Sequence, residues 1–279
     1  MAATQWHAVP RANFMYLAAA RLQAHYAVQW LARAARAYVS EQADHGHTNF
    51  GWDAAFGGLV THPLPGGARI GLRIADFTLA VLGGGNAELP LDGRAEAEVR
   101  TWLGGQLSKR GLDAKKLDAP LPYAMPDHAL ALGARYSLEE MSEPMQVLSA
   151  WFANADGMLG RLQSRLHARK LKAPAVRCWP HHFDFDSLVV LGRGRTMGLG
   201  FSPGDEYCGE PYFYVTMHPE PSIPGLPLLP AIGHWHTHEF LAAFAPAHKI
   251  VAATDQAVFI EMFEEAAIAA ALHALRTAA

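Results

Sequence analysis

The chain has 279 residues, with 23 Lys plus Arg against 26 Asp plus Glu, for a net charge of −3 with neutral histidines. That balance removes the electrostatic basis of nucleic-acid binding, which needs a basic face to meet phosphates. The apolar content of 51% excludes the disordered, collagen-like and disulfide-scaffold classes, although 50 alanines make the core side chains smaller than the figure suggests.

Residues 10 to about 40 read as a long helix: Phe14, Leu17, Leu22, Val28, Leu31 and Tyr38 recur at helical spacing, and Pro10 suits the entry. Strands are expected at Gly58–Thr61, Ile70–Ile74, Phe77–Leu82 and Ala87–Leu91. Gly83-Gly84-Gly85-Asn86 is the hairpin turn between two of them, because the turn needs positive φ. Asp92 is placed to cap a helix that carries Val99, Trp102, Leu103 and Leu107 on one stripe. The Pro-rich stretch 111–136 reads as a surface connection, and Ser137-Leu-Glu-Glu140 has capping-box spacing for a short helix. A helix from Pro144 to His167 turns Met145, Leu148, Trp151, Phe152, Leu159, Leu162 and Leu166 inward. Strands follow at 176–191, 196–202, 211–217 and 233–244, and Thr254 caps a closing helix with Val258, Phe259, Met262, Phe263 and Ala266.

Runs of strands followed by helices argue for an α+β fold rather than βαβ alternation. The expectation is two antiparallel β-meander runs, each closed by a helix, with the long N-terminal helix and the central helix packed on the sheet. Residues 1–279 read as a single domain with pseudo-repeat halves 41–110 and 175–275 joined by 111–174. The likeness of Phe50-Gly-Trp-Asp53 to Phe183-Asp-Phe-Asp186 supports the repeat.

Three polar patterns can carry chemistry. His182, Asp184 and Asp186 share one face if 176–191 is one strand. A histidine and two carboxylates there can ligate a metal or move protons, and the same alternation is also the ordinary polar side of a half-buried strand. His234, His236 and His238 alternate in the same way and form a candidate metal-binding surface, against the alternative of ordinary exposed and structural histidines. His25, Gln29 and Arg33 lie at i, i+4 and i+8 on the first helix, where they line a pocket or form the wet side of an amphipathic helix. Tyr212, Tyr214 and Thr216 share one strand face, a common lining for a small-molecule pocket and equally a solvated aromatic face. Gly200-Phe-Ser202-Pro-Gly204 matches the serine-hydrolase elbow in letters only. Pro203 has no N–H to donate to an oxyanion, and the residues after it read as a loop. No phosphate-loop or dinucleotide fingerprint occurs.

Trp179-Pro-His-His-Phe-Asp184, Gly200-Phe-Ser-Pro-Gly-Asp205, Glu210-Pro-Tyr-Phe-Tyr214 with His218-Pro-Glu-Pro221, and Trp235-His-Thr237 resemble the motifs of a bacterial family catalogued only as a domain of unknown function. In the first half the likeness rests on His25-x-x-x-Gln29 with Arg33, His47-Thr-Asn-Phe-Gly-Trp-Asp53 and Gly58-Leu-Val-Thr61. It covers the chain from about 20 to 270. After Trp-His-Thr this chain has His238-Glu239-Phe240, where the pattern has an acidic residue and glycine. The resemblance implies one continuous unit and a site map without a reaction: a pocket of His25, Gln29 and Arg33, of His47, Asn49 and Asp53, and of the His182-to-Asp186 strand.

The functional expectation is a small organic ligand bound in a cleft lined by His25, Gln29, Arg33, Asn49, Trp179, Tyr212, Tyr214, Trp235 and His236. The alternative is a hydrolase or lyase that uses a histidine–carboxylate site drawn from His182, Asp184, Asp186, His47 and Asp53. A divalent metal is a candidate cofactor there, with His182, Asp184, His234, His236 and His238 as ligands. Arg33 is expected to meet Asp184 or Asp186, because an unpaired buried charge is severely unfavourable. Histidines beside such carboxylates are expected to hold their protons more firmly. Two cysteines, Cys178 and Cys208, suit a reducing compartment. Arg11, Arg21 and Arg33 interrupt the N-terminal apolar stretch, and no run of about 18 apolar residues occurs. A soluble cytoplasmic protein is expected, with no nucleic-acid or membrane partner.

Overall fold

The computed structural model describes residues 6–10, 14–229 and 233–277. Residues 11–13 of the expected first helix lie outside them. Five α-helices and eleven strands occur among the described residues, and the strands pair antiparallel, so the architecture is α+β. The chain divides into two compact units. One comprises Ala12–Ala153 with Arg177–Phe183, and the other Asn154–Val176 and Asp184–Ala279 with Met1–Arg11.

The first unit contains α1 (Phe14–Tyr38), β1 (Phe50–Asp53), β2 (Gly58–Thr61), β3 (Arg69–Arg73), β4 (Thr78–Leu82), β5 (Ala87–Pro90), α2 (Glu96–Ser108), the start of α3 (Ser142–Ala168) and β6 (Arg177–Trp179). Its strands lie in the order β6-β1-β2-β3-β4-β5. Register places Leu59 opposite Leu72, Leu72 opposite Leu79 and Leu79 opposite Leu89, so one face of the sheet is an apolar wall. Helix α1 lies against β2 and β3, and its Leu17, Val28 and Leu31 are buried. Buried alanines at 20, 24, 27, 34 and 35 let neighbours come close on several sides, which carries Gln23, His25 and Gln29 out of water as well. Gly83, Gly84 and Gly85 all have positive φ, as the hairpin turn requires.

The second unit holds the rest of α3, then β7 (Asp184–Gly192), β8 (Arg195–Ser202), β9 (Tyr212–His218), β10 (His234–His236), β11 (Ala242–Pro246), α4 (Ala247–Ala252) and α5 (Gln256–Thr277). The strand order is β10-β11-β9-β8-β7. Phe185, Val189, Met197, Leu199, Phe201, Phe213, Val215, Met217, Ala243 and Ala245 form one buried face, and α5 lies over β9 and β11. Each fully buried phenylalanine there contributes roughly 2–3 kcal/mol.

Several boundaries differ from the sequence reading. The strand expected over 176–191 is two strands, because Pro180 lacks a ladder donor and Phe183 turns the chain at φ +58°. The Phe183 N–H closes that turn on the Trp179 carbonyl at 2.7 Å. His182 therefore sits in a turn and does not alternate with Asp184 and Asp186. The strand expected over 233–244 is the hairpin of β10 and β11, bent around Glu239 at φ +66°, so His238 leaves the histidine row. Strand β1, at the residues that begin the first sheet run, precedes the first strand expected at Gly58–Thr61. Asp92 accepts from the Leu138 N–H, and Ala95 starts α2 with the Glu98 carboxylate reaching back to its N–H. Ser137–Glu140 makes a turn into α3 instead of a helix of its own. On α5 the cap is Asp255, which accepts from the Val258 N–H. Val258 and Met262 face outward at 48% and 55% exposure, because the buried stripe runs through Ile260, Phe263, Ala267, Ile268 and Ala271.

Candidate functional site

In the second unit the sheet face opposite α5 is polar and aromatic, and its register can be read strand by strand. Asp186 lies opposite Gly200, Gly200 opposite Tyr214, Tyr214 opposite Phe244, and Phe244 opposite His234. The neighbouring row runs Leu188, Gly198, Thr216, Ala242 and His236. Asp184 and Asp186 thus share a face, as the alternation requires, and Tyr212, Tyr214 and Thr216 share the same face on β9.

The two glycines of β8 make this face what it is. A Cβ on Gly200 would collide with the Tyr214 ring and with the Phe185 carbonyl, and one on Gly198 would collide with the Thr216 hydroxyl. With both side chains absent, Tyr214 lies across β8 and donates its hydroxyl to Asp184 Oδ2 at 2.6 Å. Asp186, also half-buried, has its carboxyl pushed up to about 7, first by burial and then by the charge of Asp184. The backbone N–H groups of Ser187 and Leu199 offset only part of this. Tyr214 is held well above the ordinary phenol value by burial and by both aspartates, so its proton stays on the hydroxyl as a donor.

An aromatic group continues from this pair. The Tyr212 ring is 6.0 Å from Tyr214 and 4.2 Å from Phe244, and His236 stacks on Phe244 at 4.7 Å and 10°. Phe240 and Tyr207 extend it, with rings 4.8 Å apart. Asp205 fastens the adjoining loop: its Oδ2 accepts from Ser202 Oγ at 3.0 Å and Tyr212 Oη at 2.5 Å, and its Oδ1 from the N–H groups of Tyr207 and Cys208. Ser202 is buried at the end of β8, and its Oγ also accepts from the Gly204 N–H. Gly204 has φ +105°, and a loop with no helix follows it, so the elbow of a serine hydrolase is not formed.

The remaining histidine candidates do not join the aspartates within this unit. His234 is four strand spacings from Asp186, roughly 19 Å along the sheet. His236 places Nε2 2.7 Å from the His238 carbonyl, and His238 approaches Glu239 at 3.9 Å. Trp235 points to the other face and donates to the Pro227 carbonyl. Among the described residues no group of three or more His, Cys, Asp or Glu side chains is placed to hold a metal ion.

The other sequence candidates lie in the first unit, where the α1 stripe fastens the turn after β6. The Pro180 carbonyl accepts from His25 Nε2 and from Gln29 Nε2, each at 2.9 Å. Gln29 also donates to the His25 carbonyl and accepts from the Tyr123 hydroxyl at 2.7 Å, which uses both its donors and one of its two acceptor sites. His25 lies flat on Phe183 with ring centroids 5.4 Å apart. Its pKa falls to about 4, through burial first and through Arg21, His182 and His181, so the expected stabilisation of a protonated ring is reversed. Arg33 donates to the carbonyls of Leu117 and Ala119, at 3.3 and 2.9 Å. Trp179 stands edge-on to His181 at 6.2 Å. His47 is buried and accepts from the Gln42 N–H, Asn49 pairs with His62 at 2.9 Å, and Asp53 pairs with Arg69 at 3.1 Å.

Sequence reasoning quoted Gly200 only within motifs and passed over Gly198, although glycines alternating within a strand signal a side chain crossing that strand. It also passed over His62, Arg69 and Arg177, which come from separate segments and share no motif. Comparison with protein-family models, curated proteins and solved structures finds no match to this chain.

Proposed function

We propose that the protein binds a small organic ligand carrying a basic nitrogen on the polar face of β7, β8, β9 and β11. Asp184 and Asp186 receive the nitrogen, on the face that they share with Tyr214 and Thr216. The observation that carries this reading is the pair of half-buried carboxyls on β7, of which Asp184 accepts the hydroxyl of Tyr214 across Gly200. A cation arriving there removes the repulsion between the two carboxylates and gains charge-assisted hydrogen bonds.

Benzylamine and its neutral analogue benzyl alcohol test it by thermal shift and calorimetry. Benzylamine is expected to bind at pH 8 and to bind more weakly at pH 5.5, where Asp186 is protonated, while benzyl alcohol does neither. Asp184→Asn is expected to lose at least tenfold in affinity. Equal effects of the two compounds, or an unchanged Asp184→Asn, would overturn the reading.

The difference between the two carboxyls supports a second reading, an acid–base enzyme of the hydrolase or lyase type. In it Asp186 holds a proton near neutral pH while Asp184, hydrogen-bonded to Tyr214, stays ionised. A divalent metal belongs to this second reading as a cofactor, and elemental analysis of the purified protein tests for it. No helix among the described residues is long and apolar enough to cross a membrane. Neither Cys178 nor Cys208 is in a disulfide, which supports a cytoplasmic location.

A further inference from the structure

The first unit has a cleft of about 440 Å³ on the sheet face away from α1, lined among others by Gly51, Trp52, Asp53, His62, Arg69 and Arg177. Its charges come from three strands and one loop end. Alternation puts Arg177 on β6, Gly51 and Asp53 on β1, Val60 and then His62 after β2, and Arg69 on β3 on one face. Arg177 can lie down in this cleft because β1 has a glycine at 51: a Cβ there would be 2.6 Å from Arg177 Nη1. The guanidinium is half-buried, and among the described residues no carboxylate lies within ion-pair distance of it.

The one acidic side chain in the lining is already engaged. Asp53 gives Oδ2 to Arg69 at 3.1 Å and Oδ1 to the N–H groups of Ala55 and Phe56, both at 3.0 Å. His62 shares a hydrogen bond with Asn49 and is kept neutral by burial and by the charge of Arg177. Two guanidinium groups against one carboxylate leave a single excess positive charge, carried by Arg177, which among the described residues has no carboxylate within ion-pair distance. A planar guanidinium presents two parallel N–H donors, which match the two oxygens of a carboxylate.

We propose that this cleft binds the carboxylate of a small organic acid, with Arg177 gripping the carboxylate. A monoanion balances the excess charge of the cleft, whereas a phosphate dianion would overshoot it. The proposal is independent of the aspartate face of the second unit, because it uses none of those residues and calls for a ligand of opposite charge.

Calorimetry on the full chain with sodium benzoate, benzamide and inorganic phosphate as probes tests it. Saturable benzoate binding is expected, at least tenfold tighter than that of either benzamide or phosphate. Arg177→Gln should weaken benzoate at least tenfold, and Arg177→Lys should restore only part of the loss. Asp186→Asn should leave benzoate binding unchanged. If Arg177→Gln fails to fold, Gly51→Ala serves instead, since the added methyl pushes the guanidinium out of its place and should weaken benzoate as well. Absence of saturable benzoate binding, a preference for phosphate, or a benzoate affinity indifferent to both substitutions would overturn the proposal.

Discussion

Asp186 shows how a few neighbours set the chemistry of one side chain. Its carboxyl titrates at about 7 in the folded chain against 3.8 ordinarily, because burial and Asp184 both favour the protonated form. The folded protein therefore holds a proton there that the unfolded chain releases at lower pH. Stability contributed at this residue is present at acid pH and falls as pH rises from about 4 through 7. Asp186→Asn keeps the shape and removes the titration. At pH 8 it is expected to be roughly 1–3 kcal/mol more stable than the parent, allowing for partial exposure, and near parity at pH 4.5. Urea unfolding at the two pH values measures both numbers, and an equal change at each would contradict the assignment. His25 works with the opposite sign. Its folded pKa of about 4 lies below the ordinary 6.5, so the folded state loses stability as pH falls from 6.5 towards 4.

At the scale of elements, the decisive feature of the second unit is a strand that gives up side chains so that its neighbour can use the space. On β8, Leu199 and Phe201 fill the core while Gly198 and Gly200 leave the other face bare. Gly200→Ala places a methyl where the Tyr214 ring and the Phe185 carbonyl already are. It is expected to cost roughly 1–3 kcal/mol, as overpacking does, and to displace the Tyr214 hydroxyl from Asp184. Tyr214→Phe separates the two effects: it keeps the ring and removes only the hydrogen bond to the carboxylate, about 1.5–3 kcal/mol. If Gly200→Ala proves neutral in urea unfolding, Tyr214 does not lie across that strand. In the first unit α1 plays the corresponding part. Its Gln29 and His25 anchor the Pro180 carbonyl, and so fix the turn that ends β6.

For the molecule as a whole, buried carboxyls set the pH of greatest stability. Glu264 is 2% exposed on α5, where it meets Arg165 of α3 at 2.5 Å, and burial outweighs that partner and raises its pKa to about 8. Glu264 and Asp186 both withdraw stability as pH rises, up to about 8 and 7 respectively, while His25 withdraws it only below 6.5. The melting temperature is therefore expected to be higher at pH 6 than at pH 8. Each 1 kcal/mol lost corresponds to roughly 2–4 °C for a chain of this size. Asp186→Asn with Glu264→Gln should flatten the difference. A parent protein that melts higher at pH 8 would contradict the sign.

What the sequence determined by itself is whatever a local period or a single backbone requirement controls. The helical repeat of Met145, Leu148, Trp151, Phe152, Leu159, Leu162 and Leu166 identified the inner face of α3, and all seven are buried. Three consecutive glycines announced a turn of positive φ, and alternation on β9 put Tyr212 and Tyr214 on one face. Pro203, without an N–H, already argued against a serine-hydrolase elbow, and the segment after Ser202 is a loop. The tertiary structure decided everything that depends on partners distant along the chain. It decided that Pro180 and Phe183 break a polar alternation that looked continuous, and that Arg33 reaches the carbonyls of Leu117 and Ala119, 84 and 86 residues away in the chain. It decided that His25 is neutral, since burial opposes a charged ring more strongly than the Pro180 hydrogen bond favours it. It also brought Arg177, Gly51, Asp53, His62 and Arg69 into one cleft, although they lie in separate stretches of chain. Periodicity reports which side of an element a residue occupies. Strand register and burial determine what stands opposite it, and that pairing sets charge state and chemistry.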